Sequence, residues 1–213
     1  MLEIERFILG PIQTNSYLIA DPSAQKAVVI DPAWEGSQIV KEARKRGWTM
    51  TAIWLTHAHF DHIGGVAGVV DEIPPGKRGS LPIGLHQEDM EIWKNKGGAP
   101  MFGMELDPGP QPNLLFEHGQ SLSLGSLRFE VRFAPGHTPG HVMFYCAEEE
   151  VLFSGDVLFQ GGIGRTDLPG GNHRNLLHSI QTQVLSLPDS TRVYSGHGPP
   201  TTVGRERERN PFL

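Results

Sequence analysis

The sequence contains a single cysteine, Cys146, among its 213 residues. One thiol excludes an intramolecular disulfide framework and any zinc site built from several thiolates. Positive charge is also scarce, because 18 Lys and Arg stand against 24 Asp and Glu and leave a formal net charge of −6. No basic stripe or arm is visible, and nucleic acid is therefore not an expected partner.

Long apolar runs are missing as well. No stretch approaches the roughly 20 apolar residues that a membrane-spanning helix needs. The first residues include Glu3, Glu5 and Arg6, which is not the layout of a secretory signal peptide. We therefore expect a cytoplasmic protein with no membrane-bound segment. Its length and its hydrophobic content of 38% predict one globular domain over residues 1–213.

Periodicity and turn signals predict two strand-rich halves, each with helices. Short or alternating apolar runs predict strands at residues 2–9, 16–20, 27–30, 51–56, 81–85, 122–124, 127–133, 142–146, 151–153 and 192–194. Helical spacing predicts helices at 38–46, 65–72, 86–95 and 172–187. The Gly-, Pro- and Met-rich residues 96–112 are expected either to overhang a site or to form an irregular connection. The tail, 203–213, is expected either to form a helical turn or to fray.

One short stretch carries most of the metal-binding potential. Residues 54–65 read Trp-Leu-Thr-His-Ala-His-Phe-Asp-His-Ile-Gly-Gly and include His57, His59, Asp61 and His62. Because residues i and i+2 of an extended segment share a face, His57 and His59 can reach one ion together. If a helix begins near Asp61, then Asp61 and His62 turn toward a second position nearby. Imidazole and carboxylate donors suit Zn, Fe or Mn, and this spacing favours a metal site over a chance cluster.

The spacing Thr-His-Ala-His-Phe-Asp-His resembles the signature of the metallo-β-lactamase superfamily. Three later segments resemble the remaining ligand segments of that family, in the same order. They are Ala-Pro-Gly-His-Thr-Pro-Gly-His ending at His141, Phe-Ser-Gly-Asp ending at Asp156, and Ser-Gly-His-Gly around His197. The resemblance implies an α+β fold, an αββα sandwich in a single domain.

The resemblance also implies two neighbouring sites for divalent metal ions. The implied ligands of the first site are His57, His59 and His137. Those of the second site are Asp61, His62 and His197, and Asp156 would bridge the two ions. Zinc is the expected metal, and iron or manganese would suit the same donors. Two ions about 3.5–4 Å apart would make a metal-bound hydroxide available at neutral pH and polarise the carbonyl under attack. Asp61 would act in catalysis by orienting that hydroxide, and His141 is expected to line the site or to support a ligand.

Residues 155–167 indicate which branch of the superfamily the chain resembles. They resemble glyoxalase II, the hydroxyacylglutathione thioesterase, in which a basic residue at the position of Arg165 helps to hold the glutathione moiety. An aromatic residue is common in that family where this chain has Asp167. The C-terminal helical domain of glyoxalase II has no counterpart in the sixteen residues after His197. The run Gly-Arg-Thr-Asp is also similar to the persulfide dioxygenases, which share the fold and use one iron.

We therefore predict a metal-dependent hydrolase of a small anionic thioester, similar to hydroxyacylglutathione, with Arg165 as a substrate-binding residue. The first alternative is an iron-dependent persulfide dioxygenase on the same ligands, and the second is a lactonase or other ester hydrolase. A non-catalytic metal-binding module accounts less well for a complete ligand set. True β-lactamases lack the bridging aspartate that Asp156 supplies. The sequence leaves open the metal, the acyl group, the thiol and the oligomeric state.

Overall fold

The computed structural model describes residues 1–213, and two six-stranded β-sheets packed face to face form its centre. The strands of the first sheet are β1 (Glu3–Leu9), β2 (Thr14–Asp21), β3 (Lys26–Ile30), β4 (Thr49–Trp54), β5 (Ile83–His86) and β6 (Leu114–Phe116). They lie side by side in chain order. The pairs from β1 to β3 are antiparallel, whereas those from β3 to β6 are parallel.

The second half of the chain forms the second sheet and a small hairpin. Its strands are β7 (Ser121–Leu124), β8 (Leu127–Phe133), β9 (Val142–Cys146), β10 (Val151–Gly155), β11 (Leu158–Phe159), β12 (Gly162–Ile163), β13 (Arg192–Ser195) and β14 (Thr201–Thr202). The sheet has the order β14-β13-β10-β9-β8-β7, and β11 pairs only with β12. Strands β10 and β13 run parallel, so their C-terminal ends meet at one edge of the sheet.

Six helices cover the outer faces of the two sheets. They are α1 (Gly36–Lys45), α2 (Phe60–Ile63), α3 (Val66–Glu72), α4 (Met90–Lys94), α5 (His173–Ser179) and α6 (Val203–Arg209). Helices α1 to α4 contribute to the hydrophobic cluster on the first sheet, and α5 and α6 contribute to the one on the second. No helix of the structure is both long enough and apolar enough to cross a membrane.

Three hydrophobic layers result from the alternation of side chains along the strands. In β2, Leu18 and Ala20 pack toward the helices of the first half, whereas Tyr17 and Ile19 pack between the sheets. Successive strand residues point to opposite faces, so one buried strand serves two layers. A third layer lies between the second sheet and its helices. The order helix, sheet, sheet, helix confirms the predicted αββα sandwich.

Several predicted boundaries are wrong in detail. Residues 86–95 are not one helix, because β5 continues to His86 and a 3₁₀ turn, Gln87–Asp89, precedes α4. The predicted helix at 172–187 ends its α-helical part at Ser179 and continues as a π-helical turn, Ile180–Val184. The short strand β6 was not predicted, because its three residues carry too little alternation to distinguish them from a loop.

The C-terminal tail is helical and does not fray before Arg209. Thr202 caps the helix, because its side chain accepts a hydrogen bond from the backbone N–H of Arg205 at 3.2 Å. Glu206 is buried and faces the β11–β12 hairpin. The tail is therefore part of the packed structure.

Candidate metal centre

The segment after β4 changes from extended to helical backbone within a few residues. His59 has extended dihedral angles, φ −66° and ψ 147°, and directly precedes α2. Asp61 lies in the first turn of α2, and His62 follows it. This course of the chain directs His57 and His59 to one group of donors, and Asp61 and His62 to another, as the spacing predicts.

The other candidate ligands come from the second sheet. His137 lies in the loop after β8, Asp156 directly follows β10, and His197 lies two residues after β13. Because β10 and β13 are parallel neighbours, Asp156 and His197 emerge at the same edge of the sheet. That edge faces the histidine-rich segment of the first half, and the candidate site therefore lies between the two halves of the sandwich.

The structure brings all seven predicted ligands together. The ligand atoms of His57, His59 and His137 lie within 4.8 Å of one another, and the same holds for Asp61, His62 and His197. Asp156 contacts both groups. Its Oδ1 is 3.4 Å from His62 Nε2, and its Oδ2 is 3.6 Å from His137 Nε2 and 3.5 Å from His197 Nε2. Two ligands of one tetrahedral zinc ion are about 3.4 Å apart when each bond is about 2.1 Å, so these separations suit metal binding.

Three buried atoms in this cluster lack a hydrogen-bond partner, namely His57 Nε2, His62 Nε2 and Asp156 Oδ1. A buried polar atom without a partner costs about 1–3 kcal/mol. Divalent cations would satisfy all three atoms, because imidazole and carboxylate are ordinary ligands of such ions. The donor set therefore fits two divalent metal ions that share Asp156.

The histidines of the first group are neutral without a metal. Burial, reinforced by the neighbouring imidazoles, holds the pKa of His57 well below its usual range. Burial also lowers the pKa of His59 to about 3 and depresses the pKa of His137. Neutral imidazole is the form that binds a metal ion, so this group is ready for ligation at pH 7.

The second group has the opposite electrostatics. Burial disfavours the charged form of His62, but the carboxylates of Asp61 and Asp156 outweigh it and raise its pKa well above the usual range. The same two carboxylates raise the pKa of His197 to about 9 against the effect of burial. The two acids stay ionised, because the adjacent histidines overcome burial and hold the pKa of each carboxyl well below its usual range. This pocket therefore attracts positive charge.

Asp31 supports the site from below. Its Oδ1 accepts a hydrogen bond from the backbone N–H of Thr56 at 2.7 Å, and its Oδ2 accepts one from the Thr56 hydroxyl at 2.6 Å. The same Oδ2 lies 2.9 Å from His62 Nδ1. Although Asp31, His57 and His62 form a third group of close donors, both oxygens of Asp31 are already engaged. Asp31 therefore orients His62 and is not a candidate ligand.

Sequence reasoning missed other supporting residues. The Thr14 hydroxyl donates to Asp61 Oδ2 at 2.9 Å. Asp89 accepts hydrogen bonds from Ala58 N, Thr138 Oγ1 and Gly140 N, and it joins the two loops that carry the first-group histidines. Their partners are distant along the chain, and no local motif marks them.

His141 has one of the two predicted roles. Its Nε2 accepts a hydrogen bond from the backbone N–H of Asp156 at 3.0 Å, and its ring stacks on that of His57. His141 therefore positions Asp156 from a fully buried site. Nothing brings His86, His118, His173 or His178 into the donor groups.

A cavity of about 550 Å³ lies over the cluster. We call it the cluster cavity, and its walls are mainly apolar. Its apolar residues are Ile12, Phe60, Met101, Phe102, Met104, Phe159, Ile163 and Leu168. Residues 97–104 supply one wall, so part of the 96–112 segment overhangs the site.

Arg165 lies at the edge of the cluster cavity. Its Nε and Nη2 each donate to a different oxygen of Asp167 at 2.7 Å, so the guanidinium charge is paired. Both side chains are more than half exposed. The Arg165 carbonyl accepts a hydrogen bond from His137 Nδ1 at 2.8 Å, which leaves Nε2 of that ring to face the cluster.

The sequence is similar to known families and proteins that are named for metal-dependent chemistry. A family model described as the metallo-beta-lactamase superfamily matches residues 9–197. The probable metallo-hydrolase YqgX of Bacillus subtilis is 42% identical over 211 residues, which cover 98% of this chain and 96% of the relative. The hydroxyacylglutathione hydrolase GloC of Haemophilus influenzae is 36% identical over 214 residues, which cover 100% of this chain and 98% of the relative.

Solved structures show the same architecture over the whole chain. BLEG-1, a B3 metallo-beta-lactamase, matches with a TM-score of 0.89 and 42% identity over 99% of each chain. TTHA1623 in a di-iron-bound form matches with a TM-score of 0.87 and 40% identity over 98% of this chain and 100% of its own. ETHE1 from Myxococcus xanthus matches with a TM-score of 0.80 and 25% identity over 98% of this chain and 83% of its own. The fold, the cluster and these matches together show that the chain belongs to the metallo-beta-lactamase superfamily.

Proposed function

We propose that the protein is a metal-dependent hydrolase that cleaves a small anionic thioester of the hydroxyacylglutathione kind. The observation that carries the proposal is the pair of donor groups that share Asp156 beneath the cluster cavity. The relatives named metallo-hydrolase and hydroxyacylglutathione hydrolase support it. A two-metal hydrolase needs both groups of donors, whereas an enzyme with one metal ion would use only one of them.

The proposal assigns metal binding to the seven converging side chains. The proposed ligands of the first site are His57, His59 and His137. Those of the second site are Asp61, His62 and His197, and Asp156 is the proposed bridging ligand. When bound, two divalent ions would lower the pKa of the attacking water toward neutrality and polarise the thioester carbonyl. Zinc is the expected metal, and the di-iron form of TTHA1623 supports iron as an alternative on similar donors.

Asp61 is the proposed catalytic residue. Its Oδ2 accepts a hydrogen bond from Thr14 and lies 3.3 Å from His197 Nε2, which leaves Oδ1 for an attacking water. Because the pKa of Asp61 is held low, the carboxylate stays ionised and accepts a hydrogen bond from that water. It thereby orients the water toward the thioester carbonyl.

The walls of the cluster cavity bind the substrate and limit access of bulk water. Phe159 and Ile163 come from the β11–β12 hairpin, and Phe102 comes from the wall formed by residues 97–104. Arg165 is the proposed polar contact at the rim. Asp167 occupies two of its three nitrogens, and Nη1 remains to donate to an oxygen of the substrate.

The second candidate function is an iron-dependent persulfide dioxygenase. The run Gly-Arg-Thr-Asp around Arg165 favours it, and the likeness to ETHE1 fits it. This chemistry needs only one iron, which His57, His137 and Asp156 would hold. Lactone, ester and β-lactam hydrolysis would use the same two-metal chemistry, and the likeness to the B3 metallo-beta-lactamase BLEG-1 makes β-lactams a necessary comparison substrate.

The test compares the wild type with His197→Ala after purification without oxygen. We expect the variant to fall from two metal ions per chain toward one, and thioester hydrolysis to drop about 100-fold or more, because the second ion is lost. His178→Ala alters an exposed helical histidine and should retain both metals and the activity. If His197→Ala retains one iron and consumes oxygen with glutathione persulfide at the wild-type rate, the enzyme is a dioxygenase. Faster turnover of a lactone or β-lactam than of any thioester would also contradict the proposal.

A further inference from the structure

A second cavity adjoins the cluster cavity on the side of α4. It has a volume of about 630 Å³ and shares His59, Gly97 and Met101 with the cluster cavity. From there it extends past Lys96 to Lys94. Both volumes lie within the roughly 300–1,000 Å³ of ordinary small-molecule sites. We call this space the carrier cavity.

We propose that the carrier cavity binds the thiol half of the substrate and that Lys96 recognises its negative charge. The inference rests on the proposed thioesterase function. A thioester has one arm on each side of its carbonyl, and the carbonyl must lie at the donor cluster. The two arms therefore need two separate spaces that meet there, and the two cavities meet at His59.

The distribution of charge decides which arm enters which space. The walls of the cluster cavity are mainly apolar, and the cation at its rim, Arg165, is paired with Asp167 at 2.7 Å. In the carrier cavity, Lys94 lies 3.4 Å from Glu91, so these two charges offset each other. Lys96 forms no such pair, and the cavity retains one unpaired positive charge. An anionic carrier is thus favoured here, and an uncharged acyl group over the cluster.

The backbone at Lys96 gives a second reason to assign its side chain a role. Its φ of +54° lies in the left-handed region, and Gly97 and Gly98 follow with φ of +64° and +79°. A residue other than glycine costs on the order of 1 kcal/mol in this conformation. A glycine at position 96 would remove that cost, yet the chain has a lysine there.

The turn also brings the backbone next to Lys96 against the segment that carries His59. A Cβ atom on Gly97 would lie 2.3 Å from the backbone nitrogen of Phe60 and 2.8 Å from the carbonyl oxygen of Ala58. The turn therefore packs directly on the segment that carries His59. An anion held by Lys96 would therefore lie on the side of the cluster that His59 borders.

The experiment uses one acyl group on three carriers, namely lactoyl thioesters of glutathione, coenzyme A and N-acetylcysteamine. The first carries carboxylates, the second phosphates, and the third has no charge. We expect Lys96→Glu to raise KM about tenfold for an anionic carrier, with kcat unchanged, as for lost uniform binding. KM for the neutral carrier should stay within about twofold of the wild type, as expected if only a charge contact is lost. The anionic thioester that responds more strongly identifies carboxylate or phosphate as the group recognised.

Further variants separate charge from structure. Lys96→Gly should raise KM for the anionic carrier while the melting temperature stays equal or increases, because glycine tolerates the left-handed backbone. Lys96→Arg should restore binding. Lys26→Glu makes the same charge change at an exposed residue outside both cavities and should leave every KM unchanged.

Binding of free glutathione and coenzyme A, measured by calorimetry, tests the inference without catalysis. Weaker binding of an anionic thiol to Lys96→Glu than to the wild type supports the inference, even if the thioesters are not hydrolysed. In that case only the proposed thioesterase function fails. Equal KM values and equal thiol affinities in Lys96→Glu and the wild type overturn the inference and leave the hydrolase intact. A rise in KM that is the same for the neutral and anionic carriers also overturns it, because charge recognition would then play no part.

Discussion

Oδ2 of Asp31 lies 2.9 Å from Nδ1 of His62, and this contact decides which nitrogen of His62 faces the candidate metal centre. The same carboxylate accepts two hydrogen bonds from Thr56, so its position is set by the strand end that leads to the cluster. A carboxylate at Nδ1 selects the tautomer in which that nitrogen carries the proton. When the ring gives up its other proton to bind an ion, the lone pair on Nε2 points toward Asp61 and Asp156.

Replacing Asp31 with Asn should weaken metal binding at the second group. The backbone N–H of Thr56 can only donate, so the amide oxygen must take the place of Oδ1. The NH2 group then faces Nδ1 of His62, and the histidine loses its orienting acceptor. We expect the affinity for the second ion to fall by about 10- to 100-fold, the usual effect of losing such a partner. Metal titration with a chromophoric chelator measures the change. Asp71→Asn, at an exposed position, is the control, and an unchanged second affinity in Asp31→Asn would refute the orienting role.

Metal uptake at the second group should release protons. The pKa of His197 is raised to about 9, so the ring is protonated at pH 7 and must lose that proton to bind an ion. Because His62 in the same group is protonated as well, the affinity of this site should fall by at least tenfold per pH unit below pH 9. The neutral histidines of the first group release no proton near pH 7. Calorimetry in buffers of different ionisation enthalpy counts the protons. The electrostatic account fails if the second ion binds at pH 7 without releasing at least one.

Asp89 should make stability depend on pH between about 4 and 6. Burial raises its pKa to about 6, above the value of about 3.9 in an unfolded chain. A pKa raised by folding stabilises the protein below the unfolded value, and this contribution is lost as pH rises through the folded value. The difference amounts to about 3 kcal/mol.

The measurement for Asp89 is urea unfolding of metal-free wild type and Asp89→Asn at several pH values. Asn cannot ionise, so the wild type should lose about 3 kcal/mol relative to the variant between pH 4 and pH 7. Titration of all other groups cancels in the difference. A difference that does not vary with pH would show that Asp89 titrates normally.

Glu206 should hold the β11–β12 hairpin in place. The buried Glu206 carboxylate accepts hydrogen bonds from Gly161 N at 2.7 Å, Thr201 Oγ1 at 2.5 Å and Asn210 Nδ2 at 2.9 Å. Glu206→Ala leaves these donors unpaired and should reduce the free energy of unfolding by about 2–4 kcal/mol. KM should rise, because the hairpin carries Phe159 into the cluster cavity.

Glu208→Ala is the matched control for Glu206, because Glu208 lies on the same helix and is exposed. Its effect on the free energy of unfolding should stay within about 0.5 kcal/mol. Glu206→Gln keeps one acceptor oxygen and should fall between the two. Equal stability and equal KM in Glu206→Ala and Glu208→Ala would show that the C-terminal helix does not position the hairpin.

The sequence alone was sufficient to predict the candidate ligands and the fold class. The spacing of His57, His59, Asp61 and His62 depends only on a local change from extended to helical backbone, which the sequence encodes directly. Alternating apolar residues likewise indicated most strands, because a strand between two hydrophobic layers must present both faces. The resemblance of the later segments then supplied His137, Asp156 and His197.

Only the tertiary structure decided what surrounds those ligands. Asp31, Asp89 and Glu206 act through contacts with residues from other elements, and such long-range partners leave no periodic pattern in the chain. The sequence raised the pairing of Arg165 with Asp167 only as an alternative to substrate binding, and the structure shows that pair. The unpaired charge of Lys96 was hidden, because a charge in a sequence does not show what lies within 4 Å of it. Local backbone geometry thus accounts for the grouping of the four candidate ligands between His57 and His62. Burial and long-range packing decided their protonation, their orientation and the shape of the space above them.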